Sequence, residues 1–233
     1  MKIALLGYGK MGKTIEEIAI QRGHEIVIKT SDEDGYDITL ADVAIDFSVP
    51  KAAFFNIVNC LKHGVPVISG TTGWLDNYEN AVNICMEENG AFIYASNFSL
   101  GVNIFFELNK QLAKMMSQLK QYNVTIEEIH HTQKLDAPSG TAITLAEGII
   151  SEHTAYSKWL LNESKEQVIP ITAKRIDSVP GTHIIDYTSK TDSIQITHTA
   201  HNRQGFALGA IVAAEWILDK KGVYTMKDVL NIG

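Results

Sequence analysis

The sequence predicts an α/β protein: a parallel, doubly wound sheet forms a first domain, and a second domain of α+β type is inserted into it. Three observations carry this reading. Strand-like and helix-like runs alternate over the first hundred residues or so. A glycine-rich turn separates the first strand from the first helix. Beyond Ser99 the pattern changes to one long helix and then to strand runs split by turn signals.

The elements follow in order. "KIALLGY" (Lys2–Tyr8) is a buried-strand run ending in glycines, and "KTIEEIAIQRG" places Ile15, Ile18 and Ala19 at helical spacing with Gly23 as a stop. "EIVIKT" and "DVAIDFS" are strands, Pro50 opens the amphipathic "KAAFFNIVNCLKHG", and "VPVISG", a helix over Tyr78–Glu88 and "AFIYAS" complete the alternation. "SLGVNIFFELNKQLAKMMSQL" is then a long helix with Val102, Phe105, Phe106, Leu112 and Met116 on its apolar side. "NVTIEEIHH" is a strand and "TAITLAEGII" a helix, while Ser151–Val168 is short and polar and leaves the outer loops open. "ITAKRID", "HIIDYTS" and "SIQITHTAH" are strands divided by "SVPGT" and "KTD", which suggests a mostly antiparallel or mixed sheet. "GFALGAIVAAEWIL" is too apolar to stand alone and is expected to pack back on the first sheet. The domains therefore read as 1–98 plus 205–233, with an inserted substrate domain over 99–204.

Composition narrows the function. At 233 residues, 45% apolar and 20% charged, the chain reads as an ordinary soluble globular protein. Its formal charge of −7 argues against a nucleic-acid binder, which needs a basic face, but permits a local cationic pocket for a small anion. Cys60 and Cys85 fall in apolar helical patterns and read as a reduced, buried pair. "MKIALLGYG" is too short and glycine-interrupted for a signal peptide, and no run approaches a membrane span, so a cytoplasmic protein is expected.

Gly7-Tyr8-Gly9-Lys10-Met11-Gly12 matches G-x-G-x-x-G between a strand and a helix. In a dinucleotide site Gly7 permits the tight turn, Gly9 lets a pyrophosphate approach, and Gly12 allows close helix–strand packing, while the helix start offers N–H groups to the anion. The plainer alternative is a glycine turn that shortens a loop. Preference between NADH and NADPH stays open. Lys29 is closest to the end of the second strand and would welcome a 2′-phosphate, whereas Asp32, twenty or so residues beyond Gly12, would bind a ribose hydroxyl. "SGTTGW", with Gly70, Thr71 and Thr72, and "ASNFS", with Ala95, Ser96, Asn97 and Phe98, follow later strands. They suit hydrogen bonding to the nicotinamide side of a cofactor. Helix capping by Thr72 or Ser99 explains the same residues equally well.

"EIHHTQKLDAPSGTA" (residues 128–142) gathers the chemistry. His130 and His131 end a strand and point to opposite faces, so that one can meet a substrate while the other steadies the loop. Histidine titrates near neutrality and suits proton donation. Ser139, Gly140 and Thr141 begin a helix whose N–H groups and hydroxyls offer a site for a carboxylate, and Lys134 adds a positive charge. Each piece also has a structural explanation: a lone strand-end histidine, Ser139 as an N-cap, Asp136 as a turn former. The conjunction favours a small carboxylate substrate protonated as hydride arrives. No metal is expected, because adjacent histidines without a carboxylate or thiol pattern match no common motif, and His198 and His201 on a strand read as structural.

That stretch closely resembles the signature of the dihydrodipicolinate (4-hydroxy-tetrahydrodipicolinate) reductase family. "GYGKMG", "DFSVP", "SGTTGW", "SNFSLGVN", "QITHTAHNRQGFALGA" and "GVYTMKDVL" follow in family order. The resemblance implies reduction, with NADH or NADPH, of the cyclic dicarboxylate formed from aspartate semialdehyde and pyruvate, on the route to diaminopimelate and lysine. It implies His130 as proton donor or acceptor and Lys134 as second catalytic donor, with His131, Gly140 and Thr141 at substrate-binding positions. It implies cofactor contacts along Gly7–Gly12, Gly70–Thr72 and Ala95–Phe98. It also implies a homotetramer joined through the sheets of the 99–204 domain. Lys10 stands where many members carry arginine, and the Glu-Arg pair some members show after the second strand is missing. Their cofactor preference therefore does not transfer. A different nicotinamide dehydrogenase and a nucleotide sensor without catalysis remain the alternatives, separable by a substrate panel and by cofactor oxidation.

Overall fold

The computed structural model describes residues 1–30, 35–202 and 204–232. In chain order the elements are β1 (Lys2–Leu6), α1 (Lys10–Gln21), β2 (Glu25–Thr30), β3 (Val43–Asp46), α2 (Pro50–Lys62), β4 (Val67–Ser69), α3 (Tyr78–Glu87), β5 (Ala91–Tyr94) and α4 (Leu100–Met116). There follow β6 (Asn123–His130), α5 (Gly140–Glu152), β7 (Lys158–Leu161), β8 (Val168–Arg175), β9 (Gly181–Thr188), β10 (Ser193–Ala200), α6 (Gln204–Ile217), β11 (Gly222–Tyr224) and α7 (Met226–Leu230). The chain divides into two compact units, Met1–Asn103 with Gln204–Gly233, and Ile104–Arg203, so the division falls inside α4.

The first unit is a six-stranded parallel sheet in the order β11-β5-β4-β3-β1-β2. β3 and β4 are buried along their whole length and β1 over all but its first residue, as strands covered on both faces must be. One face packs Ile3, Leu5, Val43 and Ile45 against Ile15 and Ala19 of α1 and the alanines of α6. The small residues let α6 come close: a Cβ on Gly209 would lie 1.7 Å from the Phe98 carbonyl oxygen. The other face packs Ala4, Leu6 and Ala44 against Ile57, Cys60 and Leu61 of α2 and Cys85 of α3. Both cysteines are free and buried. β1 leads through α1 to β2 on one side, and β3 lies on its other side. That reversal makes the β1/β3 boundary the topological switch point, where open α/β sheets bind ligands.

The second unit is a five-stranded mixed sheet in the order β10-β9-β6-β8-β7, with β6 parallel to β8 and antiparallel to β9. Its inward positions alternate, with Val124 and Ile126 on β6 and Ile185 and Tyr187 on β9. They pack on Phe105, Leu112 and Met116 of α4 and Leu145, Ala146 and Ile149 of α5.

Two strands go beyond the sequence reading. β7 lies in the polar 151–168 segment, where four residues are too few to show alternation, and it pairs with β8 at the sheet edge. β11 has three residues, begins at Gly222 with φ +120°, and extends the parallel sheet beyond β5. β8 begins at Val168, three residues before the strand read from the sequence. Among the described residues, no helix is long and apolar enough to cross a membrane.

Candidate active site

The glycine loop lies at the switch point. Gly7 has φ +102°, and a Cβ there would meet the Phe47 carbonyl oxygen at 2.2 Å. A Cβ on Gly12 would meet the Gly7 oxygen at 2.3 Å. Both glycines are thus demanded by packing within the protein. Gly9, the N-cap of α1, is different: nothing lies within 4 Å of an added Cβ. An exposed glycine facing open space at a helix start is what a pyrophosphate needs for close backbone approach, so the loop fits a dinucleotide. Lys10 is exposed at the first turn, and Met11 packs on the core. The Tyr8 hydroxyl donates to Glu16, whose other oxygen pairs with the Lys29 ammonium. Asp32 lies outside the described residues.

Asp46, at the end of β3, is fully buried and accepts four hydrogen bonds: from Ser48 Oγ at 2.6 Å, Ser69 Oγ at 2.7 Å, Thr71 Oγ1 at 2.8 Å and Asn56 Nδ2 at 3.0 Å. It ties the loops after β3 and β4 together beside the glycine loop. The Thr71 hydroxyl also accepts from Ser48 N at 2.9 Å and is therefore a structural group. A Cβ on Gly70 would fall 2.3 Å from the Phe47 ring. Thr72 and Ser96 are exposed, while Ala95 and Asn97 are half-buried. Asn97 Oδ1 accepts from Ser99 N at 2.8 Å, and Ser99 Oγ accepts from Val102 N at 3.4 Å at the start of α4. Phe98 is a core residue against Phe47 at 5.8 Å, so any ligand contact it makes goes through its backbone.

In the second unit the inward face of β6 changes from apolar to polar at its end. Val124 and Ile126 are followed, two residues at a time, by Glu128 and His130. Register supplies their neighbours: Glu128 lies opposite His183 on β9, and His130 opposite Arg175 on β8. Glu128 is fully buried; one carboxylate oxygen contacts His130 Nδ1 and the other accepts from Arg175 at 3.0 Å. Burial pushes its carboxyl up, but the hydrogen bonds from His130 and Arg175 outweigh that and hold it below the ordinary range. Glu128 is therefore an anion, and it fixes His130 with Nδ1 engaged and Nε2 as the remaining nitrogen. Gly181 makes room for the ring, since a Cβ there would sit 3.0 Å from Nε2.

His183 connects this pair to the helix start. Its ring meets His130 edge-on at 5.1 Å, and its Nε2 hydrogen-bonds Ser139 Oγ at 3.1 Å. Burial, with the charge of His130 next, pushes His183 down to about 3, so it is neutral. Ser139 is the N-cap of α5, and its Oγ accepts from Ala142 N at 3.2 Å. A helix start leaves its first N–H groups without intrahelical acceptors, and those of Gly140 and Thr141 precede the one Ser139 takes. Gly140 has open space around an added Cβ.

Arg175 also organises the intervening loop, donating to the carbonyl oxygens of Lys134 and Asp136 at 3.3 and 2.6 Å. Lys134 Nζ pairs with Asp136 Oδ1 at 2.8 Å, so the residue read as a turn former also holds the lysine. His131 is half-buried just beyond β6, with Nδ1 unpartnered. Glu128, His130 and His183 offer ligand atoms within 4.8 Å of one another. A divalent ion there would face the Arg175 guanidinium already on Glu128, so the charge arrangement suits proton handling better than ion binding. The structure thus joins His130, Ser139 and Lys134 through three residues the sequence reading did not single out: Glu128, Arg175 and His183. Glu128 lies two residues before His130 on one strand face, a signal available from alternation. Arg175 and His183 come from register, which local sequence does not display.

Comparison with known proteins agrees with this architecture. The family model described as the N-terminus of dihydrodipicolinate reductase matches residues 1–98, and that of its C-terminus matches residues 101–230. The 4-hydroxy-tetrahydrodipicolinate reductase of Christiangramia forsetii is 62% identical over 234 residues, covering 99% of this chain and 98% of its own. That of Methanosarcina barkeri is 34% identical over 231 residues, covering 97% and 83%. The fold matches the dipicolinate-bound dihydrodipicolinate reductase of Paenisporosarcina sp. TG-14 with a TM-score of 0.77 at 23% identity, over 97% of each chain. With a switch-point glycine loop in one unit and a buried histidine cluster beside a helix start in the other, the chain belongs to the dihydrodipicolinate reductase family of oxidoreductases.

Proposed function

We propose that this chain reduces the cyclic dicarboxylate 4-hydroxy-tetrahydrodipicolinate to tetrahydrodipicolinate with a proton and NADH or NADPH, the 4-hydroxyl leaving as water, a step of the diaminopimelate route to lysine. The observation that carries the reading is the Glu128–His130–His183–Ser139 chain. It places an oriented imidazole next to the start of α5, with Lys134 on the same loop, in a member of this family.

The glycine loop from Gly7 to Gly12 would hold the pyrophosphate of the cofactor. The backbone of Gly70–Thr72 and Ala95–Phe98, fixed by Asp46 and Asn97, would meet its nicotinamide side. A bound reduced nicotinamide supplies hydride. The remaining work belongs to the chain. The N–H groups of Gly140 and Thr141 bind one substrate carboxylate, with the Ser139 hydroxyl and His131 beside them. Lys134 exchanges Asp136, which is 59% exposed, for substrate, and an ion pair so solvated is given up at little cost. With Nδ1 committed to Glu128, His130 holds the proton at Nε2 and releases it where electron density builds.

We further propose a homotetramer in the cytoplasm. The sheet face turned away from α4 and α5 carries half-buried Ile129 and Ile184 among threonines and the Glu127–Lys174 ion pair, a mixed surface that supports the reading of sheet-to-sheet association. The free, buried cysteines fit a reducing compartment. The deciding assay adds freshly condensed aspartate semialdehyde and pyruvate to the purified chain with either nicotinamide. Oxidation of the cofactor is expected, and none with either cofactor would set the proposal aside.

A further inference from the structure

We infer that Glu16 is a specificity residue that turns the cofactor site toward NADH and away from NADPH; this rests on the reading of the chain as a nicotinamide reductase. The two cofactors differ by one phosphate on the adenosine ribose. In this fold the end of β2 meets that ribose, and a cation there accommodates the phosphate. β2 reaches the glycine loop, because Gly7 N donates to the Thr30 oxygen at 2.8 Å. Its one cation is Lys29.

That cation is already engaged. Lys29 Nζ pairs with Glu16 on the second turn of α1, and the ammonium lies 5.2 Å over the Tyr8 ring. The Tyr8 hydroxyl donates to the other oxygen of Glu16, so tyrosine, glutamate and lysine form a closed set around the first loop. The Glu16 side chain is 17% exposed and that of Lys29 42%, so the carboxylate is the anchored partner and the lysine the mobile one. The hydrogen bond that it donates to Glu16 holds the Lys29 ammonium above its ordinary range, and Lys29 and Tyr8 hold the Glu16 carboxyl below its own.

A 2′-phosphate that recruited Lys29 would strip Glu16 of its cation and leave two anions at one corner. A ribose hydroxyl makes no such demand. Lys13 Nζ lies 6.0 Å from the same ring and is a second cation near this corner.

The test is direct binding of NADH and NADPH to the full chain, by calorimetry or tryptophan quenching. Wild type is expected to bind NADH more tightly. Glu16→Gln, which keeps the shape and removes the charge, should lower the ratio of NADPH to NADH dissociation constants about tenfold, the size of one charge-assisted contact. Adding Lys29→Gln to that variant should abolish the gain, whereas Lys29→Gln alone uncovers the Glu16 carboxylate and should raise the ratio. Tighter NADPH binding by wild type, an unmoved ratio in Glu16→Gln, a lowered ratio in Lys29→Gln alone, or a gain in Glu16→Gln that survives the added Lys29→Gln would overturn the inference. Failure to bind either nucleotide would overturn the nicotinamide reading beneath it, a separate and recognisable result.

Discussion

Arg175 on β8 donates to the buried Glu128 of β6 at 3.0 Å while the same guanidinium holds the carbonyl oxygens of Lys134 and Asp136. One side chain therefore fixes both the carboxylate that orients His130 and the loop that carries Lys134. Lysine has the charge but lacks the fork needed for three acceptors. Arg175→Lys should raise the substrate KM at least about fivefold, and Arg175→Ala should also cost about 2–4 kcal/mol of stability by leaving a buried carboxylate short of its cation. Steady-state kinetics and urea denaturation check both.

Acid should destabilise the protein in a defined window. Folded His183 is pushed down to about 3, against an ordinary 6.5 in the unfolded chain. Between these values the unfolded chain binds a proton that the folded chain refuses. Stability is whole above about 6.5 and falls as pH drops, by at most about 1.4 kcal/mol per pH unit from this residue. Glu128 acts lower down in the same direction: its contribution is present above its ordinary 4.5 and is lost as pH falls below that. Urea midpoints measured between about pH 7 and pH 5 should decline in wild type and decline less steeply in His183→Gln.

The loop glycines separate binding from folding. Gly9→Ala meets open space, so stability should change by no more than about 1 kcal/mol, the scale of an N-cap substitution, while cofactor affinity falls at least about tenfold. Gly12→Ala drives a Cβ into the Gly7 oxygen and should lower stability and affinity together. Thermal melts beside cofactor titrations distinguish the two patterns.

Lys134 and Asp136 form an exposed pair worth little to the fold. Lys134→Ala should therefore leave the melting temperature close to wild type while weakening a planar pyridine dicarboxylate inhibitor about 10- to 100-fold. Calorimetry of inhibitor binding is the check.

Much of this was legible in the sequence because local patterns encode it. Strand and helix alternation gave the doubly wound sheet, Gly7 to Gly12 the loop at its switch point, and the 128–142 stretch the histidine and the helix start. What stayed hidden depends on partners far along the chain. Arg175 lies 47 residues from Glu128 and meets it through parallel register. His183 is brought opposite Glu128 by the antiparallel β6–β9 ladder. Asp46 reads as a residue inside the strand run "DVAIDFS", and only the fold shows that it gathers donors from Ser48, Ser69, Thr71 and Asn56 of α2. β7 and β11 were too short for any periodicity to reveal.

Proton delivery by His130 is the step on which the proposed reduction turns. It is tested most directly by turnover of His130→Gln with freshly prepared substrate, with cofactor affinity measured in parallel. A fall in kcat of about 10²- to 10⁴-fold with nucleotide binding retained is expected. Turnover near that of wild type would contradict it.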